Sequence, residues 1–170
     1  MPDADASGGA SREGGCACGE VRYRVTGDPI MVHNCHCCQC QQQTGSTSVV
    51  NAFWESDRVE ILGGVLEECA LPGGSGKPQV ILRCSDCGIV VLSHYGGLGE
   101  LMSSIRVGTL DDPSSVTPDV VIFTSEAMPW VALPQGIPHF AHYYDFREVL
   151  PQDRQDRLMA LVAQRKAKEG

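Results

Sequence analysis

A mainly β fold with one C-terminal helix is what this sequence predicts. Three observations carry that expectation. Short runs of alternating or β-branched residues recur along most of the chain, separated by polar and glycine-containing turns. Nineteen glycines and ten prolines in 170 residues supply the turns that many short strands require. A good long helical pattern begins only near Pro151.

The elements follow in order. Residues 1–13 are small and acidic and read as a disordered N-terminal tail. Glu20 to Val25 alternates cleanly, with Val21, Tyr23 and Val25 on one face, and reads as a strand. Thr26-Gly-Asp-Pro29 turns the chain, and Ile30 to Asn34 leads into a cysteine cluster. Gln41 to Gly45 reads as a loop or short helical turn. Thr47 to Trp54 and Val59 to Leu62 read as strands, and Gly63-Gly64 then opens a hairpin into Val65 to Leu71. Pro72 to Pro78 is a surface hairpin tip. Its Gly-Ser-Gly-Lys segment lacks the spacing of a phosphate loop, and Pro78 stands where the hydroxyl residue belongs.

Gln79 to Arg83 and Ile89 to Tyr95 are strands on either side of a cysteine knuckle. Leu101 to Val107 and Val120 to Thr124 continue the series, with a turn or one-turn helix start at Asp111 to Ser114. The helix runs from near Pro151 toward Lys168, with Leu158, Leu161 and Val162 as its apolar stripe. Three segments result: the tail at 1–13, one β domain over 14–150, and the helix at 151–170.

Eight of the nine cysteines fall into three clusters: Cys16 and Cys18; Cys35, Cys37, Cys38 and Cys40; Cys84 and Cys87. Thiols one or two residues apart can share one ion through a tight turn, and four thiolates fill a tetrahedral zinc shell. Pairing Cys16 and Cys18 with Cys84 and Cys87 gives a closed structural site; the alternative is four free buried cysteines. Gly19 and Gly88, just after each pair, suit a metal knuckle. Cys35, Cys37 and Cys40 form a C-x-C-x-x-C set of three, with no second pair to close it. Three ligands and an open position are the catalytic arrangement. Two alternatives stay open here: a shell closed by His, Asp or Cys69 from elsewhere, and a metal-free thiol cluster. His36 is expected to point away from the ion, Cys38 to be a spare thiol and Cys69 to be core. Trp130, Phe140 and Tyr143 are candidates for the pocket wall.

A net charge of −8 argues against nucleic acid or an anionic membrane as main partner. The first fifteen residues hold no apolar stretch of the signal-peptide kind, and no window approaches a membrane span. A cytoplasmic, reducing location is therefore expected, where clustered cysteines favour metal over disulfides.

Taken together, Gly14-Gly-Cys-Ala-Cys-Gly-Glu-Val-Arg-Tyr23, Cys35-His-Cys-Cys-Gln-Cys40 with Thr44-Gly-Ser46, Cys84-Ser-Asp-Cys-Gly88, Arg106-Val-Gly-Thr-Leu-Asp-Asp-Pro113 and Pro129-Trp130 resemble the glutathione-dependent formaldehyde-activating family, which includes centromere protein V-like chains. The resemblance implies a compact, mostly antiparallel β fold around a structural zinc, and a second, catalytic zinc. It implies a carbon–sulfur lyase activity, joining glutathione and formaldehyde into S-hydroxymethylglutathione and reversing that step. By position, Cys16, Cys18, Cys84 and Cys87 are the structural ligands and Cys35, Cys37 and Cys40 the catalytic ones. The implied partners are a small thiol and a small aldehyde, and a homodimer through the C-terminal helix stays open. Two positions depart from the family pattern: Gln41 where arginine is common, and Arg83 where phenylalanine is common. Two other readings compete. One is a zinc-stabilised binding or scaffold module without turnover. The other is a methionine-sulfoxide-reductase-like enzyme, which needs a nucleophilic cysteine on a late strand; none follows Cys87.

Overall fold

The computed structural model describes residues 9–73 and 76–170. Ten strands form two sheets. β1 (Ser11–Gly15), β2 (Arg22–Thr26) and β5 (Val59–Gly63) make a three-stranded antiparallel sheet in the order β1-β2-β5. The second sheet has seven strands. They are β3 (Met31–Cys35), β4 (Val49–Glu55), β6 (Leu66–Leu71), β7 (Gln79–Cys84), β8 (Val90–Tyr95), β9 (Met102–Arg106) and β10 (Val120–Ile122). Their spatial order is β10-β3-β4-β9-β8-β7-β6, antiparallel except where β10 runs parallel to β3. The mainly β, mostly antiparallel class expected from the sequence is the class observed.

Period-2 patterning fixes which residues face inward. Val21, Tyr23 and Val25 are fully buried, as the alternation predicts, and pack with Trp54, Val91 and Ile105. Trp54 spends its one polar atom on the chain turn beside it, donating from Nε1 to the Gly27 carbonyl at 3.1 Å. A second core lies on the other face of the large sheet. There α2 (Gln152–Glu169) buries Leu158 and Leu161 against Met31, Phe53 and Met102. Ion pairs from Arg154 to Asp119 and from Arg157 to Glu55 fasten the same helix.

Three expectations change. Ser11–Glu13, inside the stretch read as a disordered tail, belong to β1; their alternation was too short to detect, and pairing with β2 orders them. Residues 1–8 of that tail and Gly74 and Ser75 of the hairpin tip lie outside the described residues. Gly63-Gly64 does not open a hairpin. β5 pairs with β2, whereas β6 pairs with β7, so the chain changes sheets between β5 and β6. Gly64 permits this because it sits at φ +83° against the backbone of Glu20, where a Cβ would collide with the carbonyl oxygen. Cys69 is not core. It lies half-exposed on β6, at the edge of the large sheet.

Candidate metal centres

Two knuckles build the first thiol group. β1 ends just before Cys16, and Cys84 ends β7, so strands from different sheets deliver the two cysteine pairs. Gly19 at φ +86° and Gly88 at φ +74° close the turns, in the left-handed region that glycine enters without strain. The sulfurs of Cys16, Cys18, Cys84 and Cys87 all lie within 4.8 Å of one another. Cys16 to Cys18 is 3.3 Å and Cys18 to Cys84 is 3.7 Å. A tetrahedral shell with zinc–sulfur bonds of about 2.3 Å spaces its sulfurs by roughly 3.8 Å, so the donor set fits zinc. The Val21 N–H points at the Cys16 sulfur at 3.2 Å, the kind of outer bond that steadies a thiolate. Burial opposes ionisation of Cys16. The Val21 N–H and the neighbouring thiols outweigh it and lower the group to about 6.

The second group forms where β3 runs into a seven-residue helix, α1 (Cys38–Thr44). Cys35 is the last residue of β3. Cys37 caps the helix, its sulfur accepting the Cys40 N–H at 3.4 Å. Cys40 lies on the buried face of α1. Their three sulfurs lie within 4.8 Å of one another, and among the described residues no fourth His, Cys, Asp or Glu joins them. Hydrogen bonds from the Cys35 and Cys40 thiols, followed by the Cys40 N–H, favour the Cys37 thiolate strongly. Cys35 is pushed the other way, by Cys37 and Cys40 first and then by burial. Like charges this close cannot all ionise alone, whereas a divalent cation would let them. The donor set therefore fits zinc as three protein ligands.

The neighbouring residues fall where spacing places them, with exceptions. His36 is buried outside the thiol group, and neither ring nitrogen has a hydrogen-bond partner. Cys38 is exposed and also outside it. Its backbone N–H is bound by the Glu126 carboxylate at 2.7 Å, which ties the start of α1 to the segment after β10. Phe140 packs against the Cys35 and Cys40 cluster and stacks on Tyr144. Tyr143 leans on His33, ring centres 5.8 Å apart, with more than half its surface open. Trp130 is 73% exposed and is not part of any core cluster.

Gln41, where the family pattern commonly has arginine, has a defined task. Its amide donates to the His36 carbonyl at 2.6 Å and the Glu126 carbonyl at 3.0 Å, lacing the thiol loop to the chain beyond β10.

Sequence reasoning missed the polar layer beneath α1. Register places His33, Asn51 and Arg106 side by side across β3, β4 and β9. Arg106 donates to Asn51 Oδ1 at 2.7 Å and to Gln43 Oε1 at 2.5 Å. The Gln43 amide passes on to Gln79 Oε1 at 3.0 Å. Tyr95 stands directly opposite Gln79. Burial first, and then the nearby Cys40 charge, hold its phenol well above the usual value. The only signal for this layer in the sequence is polar residues at inward positions of strands, which belong to no local motif.

The family model for the glutathione-dependent formaldehyde-activating enzyme matches residues 11–126, well over half of the chain and both thiol groups. The chain belongs to that family. A crystal structure of a Rhodobacter sphaeroides protein is similar at 18% identity with a TM-score of 0.46, covering 62% of this chain and 91% of that one. Comparison with curated proteins gives no match. The family is one of formaldehyde-activating enzymes that depend on glutathione, and both thiol groups of this member suit metal. No helix among the described residues is long and apolar enough to cross a membrane.

Proposed function

We propose that this protein is a zinc-dependent carbon–sulfur lyase that joins a low-molecular-weight, glutathione-like thiol to a formaldehyde-like aldehyde and catalyses the reverse cleavage. The observation that carries this reading is the contrast between the two thiol groups: four sulfurs in one, three in the other, with no further described ligand beside the three. On this reading Cys16, Cys18, Cys84 and Cys87 hold a structural ion within the β domain at 14–150, and Cys35, Cys37 and Cys40 hold a catalytic one. Zinc, when bound, lowers the pKa of a thiol beside it and polarises an aldehyde oxygen.

In the forward direction the substrate sulfur forms a bond to the aldehyde carbon, the carbonyl π pair moves to oxygen, and that oxygen takes a proton. The reverse removes the proton, rebuilds the carbonyl and expels the thiolate. Side chains of this protein supply position. α1 and β3 fix the three sulfurs, and the Gln41 lacing holds their loop. Tyr95 keeps its proton at neutral pH and stands opposite Gln79 in the polar layer beneath α1. His33 is buried and held neutral, its Nε2 hydrogen-bonded to the Tyr144 hydroxyl at 2.9 Å, which supports the wall rather than supplying charge.

The test is exchange NMR of the zinc-loaded protein with labelled formaldehyde and a panel of small thiols, alongside metal analysis. Two zinc ions per chain and accelerated adduct exchange with at least one thiol are expected. One ion per chain and no acceleration with any thiol would leave a zinc-braced binding module as the better reading.

A further inference from the structure

Ten arginines occur in the chain, and nine have a carboxylate within 4 Å. Arg106 is the exception among the described residues. Its side chain is also buried, 5% exposed. Its two acceptors, on Asn51 and Gln43, are neutral amide oxygens, which leaves three of its five N–H donors for something else. A buried guanidinium without a carboxylate is costly; the neighbouring Cys40 thiol, when ionised, offsets part of that cost, and the three remaining N–H donors suit a further negative partner.

Arg106 lines a cleft of about 600 Å³. This is the range of small-molecule sites. The walls are largely apolar, with Val49, Ile89, Val90, Val107 and Pro113 among them, and Thr44 and Ser48 bring hydroxyls to its edge. No other charged side chain lines it. The cleft borders the three-thiol group in two ways. Gln43 lies one helical turn beyond Cys40 on α1, and Val49 pairs with Cys35 across β3 and β4 and packs on the same cluster. None of the three cysteines lines the cleft itself; a molecule seated there has the Arg106 cation at one point and, across Gln43 and Val49, the elements that carry Cys35 and Cys40.

We propose that this cleft is an anion subsite, in which Arg106, held by Asn51 and Gln43, takes a carboxylate of the thiol substrate. The identity of the ligand as a thiol rests on the reaction proposed above; the preference for a carboxylate does not. Arg106 is then a specificity-determining residue. It selects carboxylate-bearing thiols over neutral ones, and the apolar walls accept the rest of the molecule.

The test uses the zinc-loaded full chain and two ligands that lack a free thiol: S-methylglutathione, with both carboxylates, and its dimethyl ester. Binding is followed by calorimetry or ligand-observed NMR, so no turnover is needed. Wild type is expected to bind the carboxylate form about tenfold or more tightly than the ester. Arg106→Gln should abolish that preference and leave ester binding unchanged. Ser48→Asp, at the edge of the cleft with Arg106 intact, should weaken the carboxylate form selectively, which keeps the test decisive if Arg106→Gln does not fold. A wild type without preference would overturn the subsite. So would a preference that survives the substitutions while Arg106→Gln merely loses zinc; Arg106 would then serve only to balance the thiolates. Preferential binding without any aldehyde chemistry would count against the reaction and not against the subsite.

Discussion

Replacing Glu55 by Gln is expected to lower the melting temperature by roughly 4–8 °C at neutral pH. Glu55 closes β4 and receives Arg157 of α2 through two parallel bonds, of 2.7 and 2.6 Å, with Arg58 3.3 Å away. The Glu55 side chain is 13% exposed and that of Arg157 23%, so water screens the pair only in part. Hydrogen bonds to charged groups contribute about 1.5–3 kcal/mol, and removing one partner strands the other. With a discount for the remaining exposure, about 2 kcal/mol is expected. In a chain of this length about 1 kcal/mol moves the midpoint by roughly 2–4 °C. The pH dependence has a definite sign. Burial acts to raise the Glu55 carboxyl, but the bonds from Arg157 outweigh it and hold it below its usual value. A depressed carboxyl contributes stability that is complete above the unfolded value of about 4.3 and is lost as pH falls through the lower folded value. The deficit of the Glu55→Gln variant should therefore be constant from neutral pH to mildly acidic pH and shrink below about pH 4. Thermal melts followed by circular dichroism across that range measure it. A midpoint within about 1 °C of wild type at pH 7, or a deficit that grows on acidification, would refute the reasoning.

Further outcomes are expected elsewhere in the molecule. On the proposed assignment of Cys16, Cys18, Cys84 and Cys87 to a structural ion, Cys87→Ser releases that ion and costs much of the fold's stability, since metal binding at a closed thiolate site is folding free energy; melts with paired metal analysis measure both. Gly64→Ala should cost at least about 2 kcal/mol, because the substitution forces a positive φ and meets the Glu20 carbonyl. Urea titration gives the value. Gln41→Ala removes two bonds that lace the thiol loop and should cost about 1–2 kcal/mol, with faster amide exchange at His36 and Cys38.

The parts of the fold set by local pattern were legible in the sequence. Val21, Tyr23 and Val25 alternate, and all three are buried. The helix beginning near Pro151 announced its apolar stripe at Leu158 and Leu161. The thiol groups were legible because ligand spacing is a local property of each knuckle. What escaped was set by partners distant in sequence. β1 is ordered by β2, and β5 leaves β6 for the other sheet; neither choice is written in the residues that make it. Arg106 escaped for the same reason. Its meaning comes from Asn51 and Gln43, 55 and 63 residues away, and from a cleft that exists only once α1 lies across the sheet.

The proposed reaction depends on the three sulfurs of Cys35, Cys37 and Cys40 leaving room for substrate. The most direct measurement compares wild type and Cys40→Ala for zinc content, melting temperature and formaldehyde–thiol exchange in one set of samples. Loss of one ion and of the exchange, with the remaining ion and the cooperative melt retained, is the expected result. Undiminished exchange in Cys40→Ala would place the chemistry elsewhere and contradict the assignment.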